Sequence, residues 1–270
     1  MEIQLEKRLM EILAASVGGL TPGALNLEMR SHFPGLTRTS LQLLLKRLIA
    51  DGRLIYTQRL GSTRIALGGC RPTRVSERIY LAASPHGQKL PPDSVCVRLL
   101  AGTAFGAGDH PTTCMMLRAL EQALARTAAS MRLAAVRALD VGTGNGVLAI
   151  AALLLGAGAA TGVDIDPQAC HEARINASHN GVAERFAIVS GPVQAVGEAA
   201  FDLVLANLRP PTLAALLPVL GLLVAAGGWL ILSGFRADEQ PNLERMLPMG
   251  FDVVWRKKDR DWAATVACQG

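Results

Sequence analysis

Aromatic side chains make up only 4% of this 270-residue chain and charged ones only 18%. A core built with so few rings must come from small aliphatic residues. That suits helices packed on a parallel sheet, whose buried strands read as continuous apolar runs. Half of the residues are hydrophobic, which excludes a disordered chain, and the length allows two modest domains or one large one. No apolar run is long enough to cross a membrane. The longest stretch, Leu213–Trp229, is interrupted by Pro218, Gly221 and Gly227–Gly228, so it reads as a buried helix, a turn and a strand. The opening MEIQLEKRLMEIL breaks its apolar residues with charges at helical spacing, so it lacks a signal-peptide core and the expected location is the cytoplasm. The five cysteines, Cys70, Cys96, Cys114, Cys170 and Cys268, are scattered without a CxxC pair or His/Cys ligand spacing. Neither a disulfide framework nor a metal site is expected. The net charge of +5 permits an anionic partner without demanding one.

Helical periodicity runs through residues 3–17, and Gly18–Gly19 stop it. Thr21 reads as an N-cap with Pro22 at the first helical position, opening a second helix to about His32. Thr37 or Thr39 caps a third helix, Ser40–Ala50. Two short β-like runs follow, Arg53–Gln58 and Thr63–Leu67. Three helices and a hairpin predict a small winged-helix-like α+β domain over residues 1–69. Arg38, Lys46, Arg47, Arg53, Arg59 and Arg64 could form a nucleic-acid face, diluted by Glu2, Glu6, Glu11, Glu28 and Asp51. Homodimerisation or substrate docking, nucleic-acid binding and a purely structural cap all stay open for it. Gly68–Gly69 and Pro72 mark the boundary to a second domain, 70–270, which opens with a hairpin over 75–100.

In that second domain the segment AVRALDVGTGNG, Ala135–Gly146, runs from a short apolar strand into a glycine-rich turn and then a helix. Gly142, Gly144 and Gly146 allow a tight turn and close approach of a ligand. Asp140, at the strand end, is placed to meet the ammonium of an aminoacyl group. The next strand, ATGVD, ends in Asp164 about twenty residues after the glycines, where a carboxylate can accept bonds from both hydroxyls of a ribose. Thr143 in the turn and Ile165 after the acid belong to the same pocket, while Asp166–Pro167 reads as a helix cap. Strands and helices then alternate through Phe186–Val189, Phe201–Asn207, a helix Thr212–Val224, a strand Gly228–Ser233 and a helix Arg236–Leu247, closing on the strands Phe251–Lys257 and Trp262–Cys268. The pattern predicts an α/β doubly wound sheet with ligands at the C-terminal strand ends. An antiparallel last strand marks the Rossmann-like class I methyltransferase arrangement.

Three segments together resemble the bacterial ribosomal-protein lysine methyltransferases of the PrmA type and their relative acting on electron-transfer flavoprotein. AFGAGDHPTTCMMLRALE, Ala104–Glu121, is similar to that family's FGTGxHPTT signature and the helix after it. ALDVGTGNGVLAIAALLLGA with GVDIDPQA and NASHNG forms the second segment. DLVLANLRPPTL followed by LSGF is the third, and even the closing DWAATVA resembles the family's last strand. The likeness spans roughly Val95–Ala267. It implies S-adenosyl-L-methionine as cofactor, lined by Thr113, Gly142, Asp164 and Asn207, with Asp140, Gly144 and Gly146 in the same pocket and Phe105 and His110 shaping its lid. Asn207, and with it His110, are the candidate catalytic residues; Asn207 could bond the incoming amine through its carbonyl or, as its place in the family motif implies, organise the cofactor end.

The chain departs from the family in three places. The family's N-terminal recognition domain is ferredoxin-like, unlike the module expected here. Asn207 is followed by Leu208–Arg209–Pro210–Pro211 and not by a small, apolar continuation, and the SGPVQ loop lacks the acid often set against the adenine amino group. The implied activity is N-methylation of a protein lysine. A small-molecule methyltransferase with an N-terminal dimerisation domain and a nucleic-acid methyltransferase are the alternatives. In the latter, Thr212 stands where an aromatic would stack on a flipped base. A regulator that takes S-adenosylmethionine as effector is a non-enzymatic fourth.

Overall fold

A computed structural model describes residues 2–16, 19–50, 53–59, 62–67, 72–82, 90–99, 110–197 and 199–270. The chain divides into two compact units. Residues up to Thr73, together with Ala82, belong to one, and Arg74–Leu81 with the residues from Leu90 onward to the other.

The smaller unit contains α1 (Glu2–Ala15), α2 (Pro22–His32), α3 (Arg38–Ala50), β1 (Leu54–Arg59) and β2 (Ser62–Leu67). Thr21 caps α2 by accepting from the Ala24 amide at 3.2 Å, and Thr37, not Thr39, caps α3 by accepting from the Ser40 amide at 3.1 Å. β1 and β2 pair antiparallel from Leu54 opposite Leu67 to Arg59 opposite Ser62. Leu20 adds a bridge to Ile65. Leu9, Leu25, Met29, Leu48 and Leu54 are fully buried and hold the helices to the hairpin. The cationic face expected here is partly spent within the unit. Arg47 and Arg53 both pair with Glu6, and the Arg64 guanidinium donates to the Gly19 carbonyl at 2.9 Å.

Three short strands follow, β3 (Thr73–Arg74), β4 (Ile79–Ala82) and β5 (Val95–Arg98), side by side in that order. The expected hairpin over 75–100 is thus a three-stranded sheet, and the first half of its HGQKLPPD turn lies outside the described residues. The larger unit continues with α4 (Pro111–Thr127), β6 (Arg137–Val141), α5 (Val147–Leu154), β7 (Ala159–Asp164), α6 (Pro167–His179), β8 (Phe186–Ser190), β9 (Phe201–Asn207), α7 (Pro210–Leu223), β10 (Val224–Arg236), α8 (Gln240–Arg245), β11 (Phe251–Asp259) and β12 (Trp262–Gln269). Seven strands form one mixed sheet in the order β11-β12-β10-β9-β6-β7-β8. Neighbours from β10 through β8 run parallel, and β12 inserts antiparallel between β10 and β11. The strand order therefore reverses between β6 and β9, where a crevice opens at the carboxyl ends.

Alternate residues of each central strand feed opposite faces. Ala138, Leu203, Leu205 and Ile231 pack with α4, α5 and α6 in one core. Leu139, Val204, Ala206, Leu230 and Leu232 pack with α7 and α8 in the other. Two boundaries differ from those read in the sequence. β10 starts at Val224, directly after α7, and its pairing with β9 shifts register between Val224 and Trp229, with Gly227 at φ +71°. The helix expected over Arg236–Leu247 shortens to Gln240–Arg245, because β10 runs on to Arg236 and the helix begins only around Pro241.

On α7, Leu220 is 0% and Leu222 85% exposed. We expect Leu220→Ala to cost about 2–5 kcal/mol through the cavity left behind and Leu222→Ala less than about 0.5 kcal/mol, as read by urea denaturation followed by circular dichroism.

Candidate active site

The site begins where β6 stops. Gly142 and Thr143 donate their amides to the single carbonyl of Val163 at the end of β7, at 2.8 and 3.1 Å. Gly142, Gly144 and Gly146 stand at φ +71°, +56° and +82°, a left-handed turn that side chains resist. At Gly142 space is also lacking, since a Cβ would lie 2.4 Å from Leu208 Cδ2. Gly144 turns its amide onto Asp164 Oδ2 at 2.9 Å. Gly146 starts α5, and a Cβ there would press Phe186 at 3.1 Å and Ala173 at 3.3 Å, so it serves helix packing.

Above this turn lies a cavity of about 810 Å³. Of the residues singled out in the sequence, His110, Thr113, Gly142, Thr143, Gly144, Asp164, Ile165 and Asn207 are brought together on its wall. Asp140 and Gly146 are not on the wall, and Phe105 lies outside the described residues. Asp164 is locked by backbone amides, Gly144 on Oδ2 and Asp166 on Oδ1 at 3.0 Å. Its carboxylate is therefore held in one orientation with lone pairs to spare. Ile165 is 79% exposed beside it. Pro192 and Val193, from the loop after β8, add further apolar wall. Asp166 caps α6 through the Gln168 amide at 2.9 Å.

Across the cavity, His110 caps α4. Its Nδ1 lies 2.8 Å from Thr112 Oγ1 and accepts from the Thr112 amide at 3.4 Å. Its ring meets the edge of Trp262 at 5.0 Å between centroids. Asn207, at the end of β9, donates from Nδ2 to Thr112 Oγ1 at 3.3 Å. Its Oδ1 and the Thr113 hydroxyl are buried without a hydrogen-bond partner among the described residues. Buried polar atoms of this kind are uncommon, and on a cavity wall they are fit to bond a bound molecule. Sequence reasoning passed over Thr112, and it gave Trp262 no place beyond its likeness to a terminal strand. The only available signal for Thr112 was its place in HPTT; Trp262 reaches the cavity from the far end of the chain. Among the described residues no three His, Cys, Asp or Glu side chains cluster as a metal site would require.

Asp140 departs most from expectation. It is 1% exposed. Its Oδ2 accepts from the Thr143 hydroxyl at 2.9 Å and the Ala149 amide at 3.3 Å, and its Oδ1 has no partner among the described residues. It shares strand parity with Ala138, so it lies on the α5 face beneath the glycine turn. Loss of water lifts its carboxyl from 3.8 to about 7, with the charge of Asp164 adding to the rise and the bonds from Thr143 and Ala149 opposing it. The free protein thus holds an extra proton here between about pH 4 and pH 7. Stability from this residue is intact below that window, falls as pH rises through it, and is level above. Between pH 5 and pH 8 the wild type should lose roughly 1–4 kcal/mol more stability than Asp140→Asn in urea titrations; equal losses would mean that the carboxyl is not desolvated.

The family model for ribosomal protein L11 methyltransferase (PrmA) matches residues 66–269, a wider stretch than Val95–Ala267. The ribosomal protein L11 methyltransferase of Cupriavidus pinatubonensis is 42% identical over 200 residues, 73% of this chain and 62% of that protein. Its counterpart in Dechloromonas aromatica is 44% identical over 170 residues, 62% of this chain and 52% of its own length. The crystal structure of ribosomal protein L11 methylase from Lactobacillus delbrueckii subsp. bulgaricus superposes with a TM-score of 0.62 at 28% identity, covering 73% of this chain and 97% of that one. The chain spans 62% or less of these two curated relatives, and residues 1–65 precede the family match. With its glycine turn, strand-end acid and HPTT helix cap in one cavity, and the match running over most of its length, the chain belongs to the ribosomal protein L11 methyltransferase (PrmA) family.

Proposed function

We propose that this chain is an S-adenosylmethionine-dependent methyltransferase that N-methylates lysine on a protein, with ribosomal protein L11, the substrate named for its relatives, as the first acceptor to try. The observation that carries this reading is the pairing, on one cavity wall, of a rigidly held strand-end carboxylate with two buried side-chain oxygens that have no partner among the described residues. The residues fit the cofactor by their chemistry. Asp164 would accept from the ribose hydroxyls, and Ile165, Pro192 and Val193 would pack the adenine ring in place of a polar anchor. The Gly142–Gly144 turn would let the aminoacyl end approach. Asp140 would support that turn from below through Thr143.

S-adenosylmethionine, when bound, supplies a methyl group on a sulfonium, the electrophile of an in-line displacement. The protein must bring a neutral amine to it in line. Asn207 Oδ1 can accept an N–H from that amine, which orients the lone pair and leaves the Asn207 amide itself unionised. Trp262 and Leu208 add apolar surface to the same wall. The small unit, which we read as winged-helix-like, would present or dock the substrate, since pairing of Arg47 and Arg53 with Glu6 leaves a poor footprint for nucleic acid. No helix among the described residues is long and apolar enough to cross a membrane, and we place the enzyme in the cytoplasm with a ribosomal substrate.

Calorimetry with S-adenosylhomocysteine should give binding to the wild type that weakens by about 100-fold or more in Asp164→Ala, the loss of two charge-assisted bonds. Wild-type protein incubated with labelled S-adenosylmethionine and purified L11 should transfer label to lysine. Label confined to RNA or to small molecules from an extract would contradict the protein substrate, and no binding by folded protein would contradict the cofactor.

A further inference from the structure

Asn207 can accept from an amine only if its oxygen, and not its NH2 group, faces that amine. A planar amide presents two ends of similar shape, so something must choose between them. Thr112, 1% exposed, stands between Asn207 and His110. Its hydroxyl lies 3.3 Å from Asn207 Nδ2 and 2.8 Å from His110 Nδ1.

The direction of this chain follows from the helix cap. The Thr112 backbone amide points at His110 Nδ1 at 3.4 Å, and a backbone N–H can only donate. Nδ1 is therefore unprotonated and the imidazole carries its hydrogen on Nε2. A hydroxyl has one proton, and that of Thr112 goes to Nδ1. Towards Asn207 its oxygen has only lone pairs to offer, so Asn207 must present Nδ2. The amide oxygen is thereby turned the other way, where it has no partner among the described residues. Trp262, edge-on to the imidazole at 5.0 Å, restricts ring rotation.

We propose that Thr112 and His110 are positioning residues that set the polarity of Asn207. The cap of α4 fixes the imidazole tautomer, the tautomer fixes the threonine proton, and the proton fixes which end of the amide meets the acceptor nitrogen. The inference rests on the reading of Asn207 as the group that receives the amine. It assigns neither Thr112 nor His110 any proton transfer with substrate.

Two measurements test it. Long-range proton–nitrogen NMR on the wild type with S-adenosylhomocysteine bound, with the His110 signal assigned by its loss in His110→Gln, should find the Nε2–H tautomer. Nδ1–H would reverse the whole chain and overturn the proposal. Steady-state methylation of L11 should show kcat lowered by about tenfold or more in Thr112→Val, which keeps the shape and removes the hydroxyl. The Kd for S-adenosylhomocysteine should move less than about twofold, since Asp164 and the Gly142–Gly144 turn are left intact, and Thr112→Ser should restore most of kcat. Wild-type kcat in Thr112→Val, or a serine variant as slow as valine, would overturn it. If the wild type transfers no methyl group to L11 at all, it is the function proposed above that fails, and the tautomer alone then decides whether the relay exists.

Discussion

The amide of Gly144 on the carboxylate of Asp164 ties the turn after β6 to the end of β7. Together with the two amides on the Val163 carbonyl, it fixes the floor of the cavity. The tie works only because backbone stands where side chains would normally be. Gly162, one strand position before Val163, has no room for a Cβ, which would lie 2.8 Å from Thr143 Oγ1 and 2.9 Å from Phe186. The same hydroxyl of Thr143 reaches down to Asp140. Sheet spacing, turn conformation and the orientation of two carboxylates are thus set by one small group of contacts. A ligand arriving there meets groups already aimed, and pays little to order them.

The opposite wall is organised by the start of α4. His110, Thr112 and Thr113 occupy the cap and first turn of that helix, whose remaining length is anchored by Met115, Met116, Leu117 and Leu120, all fully buried. A rigid helix therefore presents the polar groups. β9 brings Asn207 to meet them, and the close passage of β10 holds the residue after it. Gly234 has its would-be Cβ 2.3 Å from the Leu208 carbonyl oxygen, and the Leu208 amide bonds Ser233 at 3.0 Å. The LSGF segment acts as a backbone clamp on the strand end that carries Asn207.

Much of this was legible in the sequence, for physical reasons. Left-handed glycines, Asx and threonine caps, and acids at strand ends are local devices with local signatures, so Gly142, Gly144, Asp164, Asp166 and Thr21 could be placed from the chain alone. Side-chain direction was not legible at Asp140. A strand-end acid can face the ligand or the helix beneath, and only the parity with Ala138 across the built sheet settles it. Trp262 was hidden because it reaches the cavity from a strand that inserts out of sequence order between β10 and β11. The extension of β10 to Val224 was hidden because Gly227 and Gly228 look like a turn, yet the sheet absorbs them as an irregularity in register.

The proposed function depends on S-adenosylmethionine seated on the Gly142–Gly144 turn with its ribose on Asp164. A crystal structure of the whole chain with S-adenosylhomocysteine tests this. Both ribose hydroxyls are expected within hydrogen-bond distance of the Asp164 carboxylate, the adenine against Ile165 and Pro192, and the sulfur on the side of Asn207. Density for the ligand elsewhere, or a ribose turned away from Asp164, would contradict it.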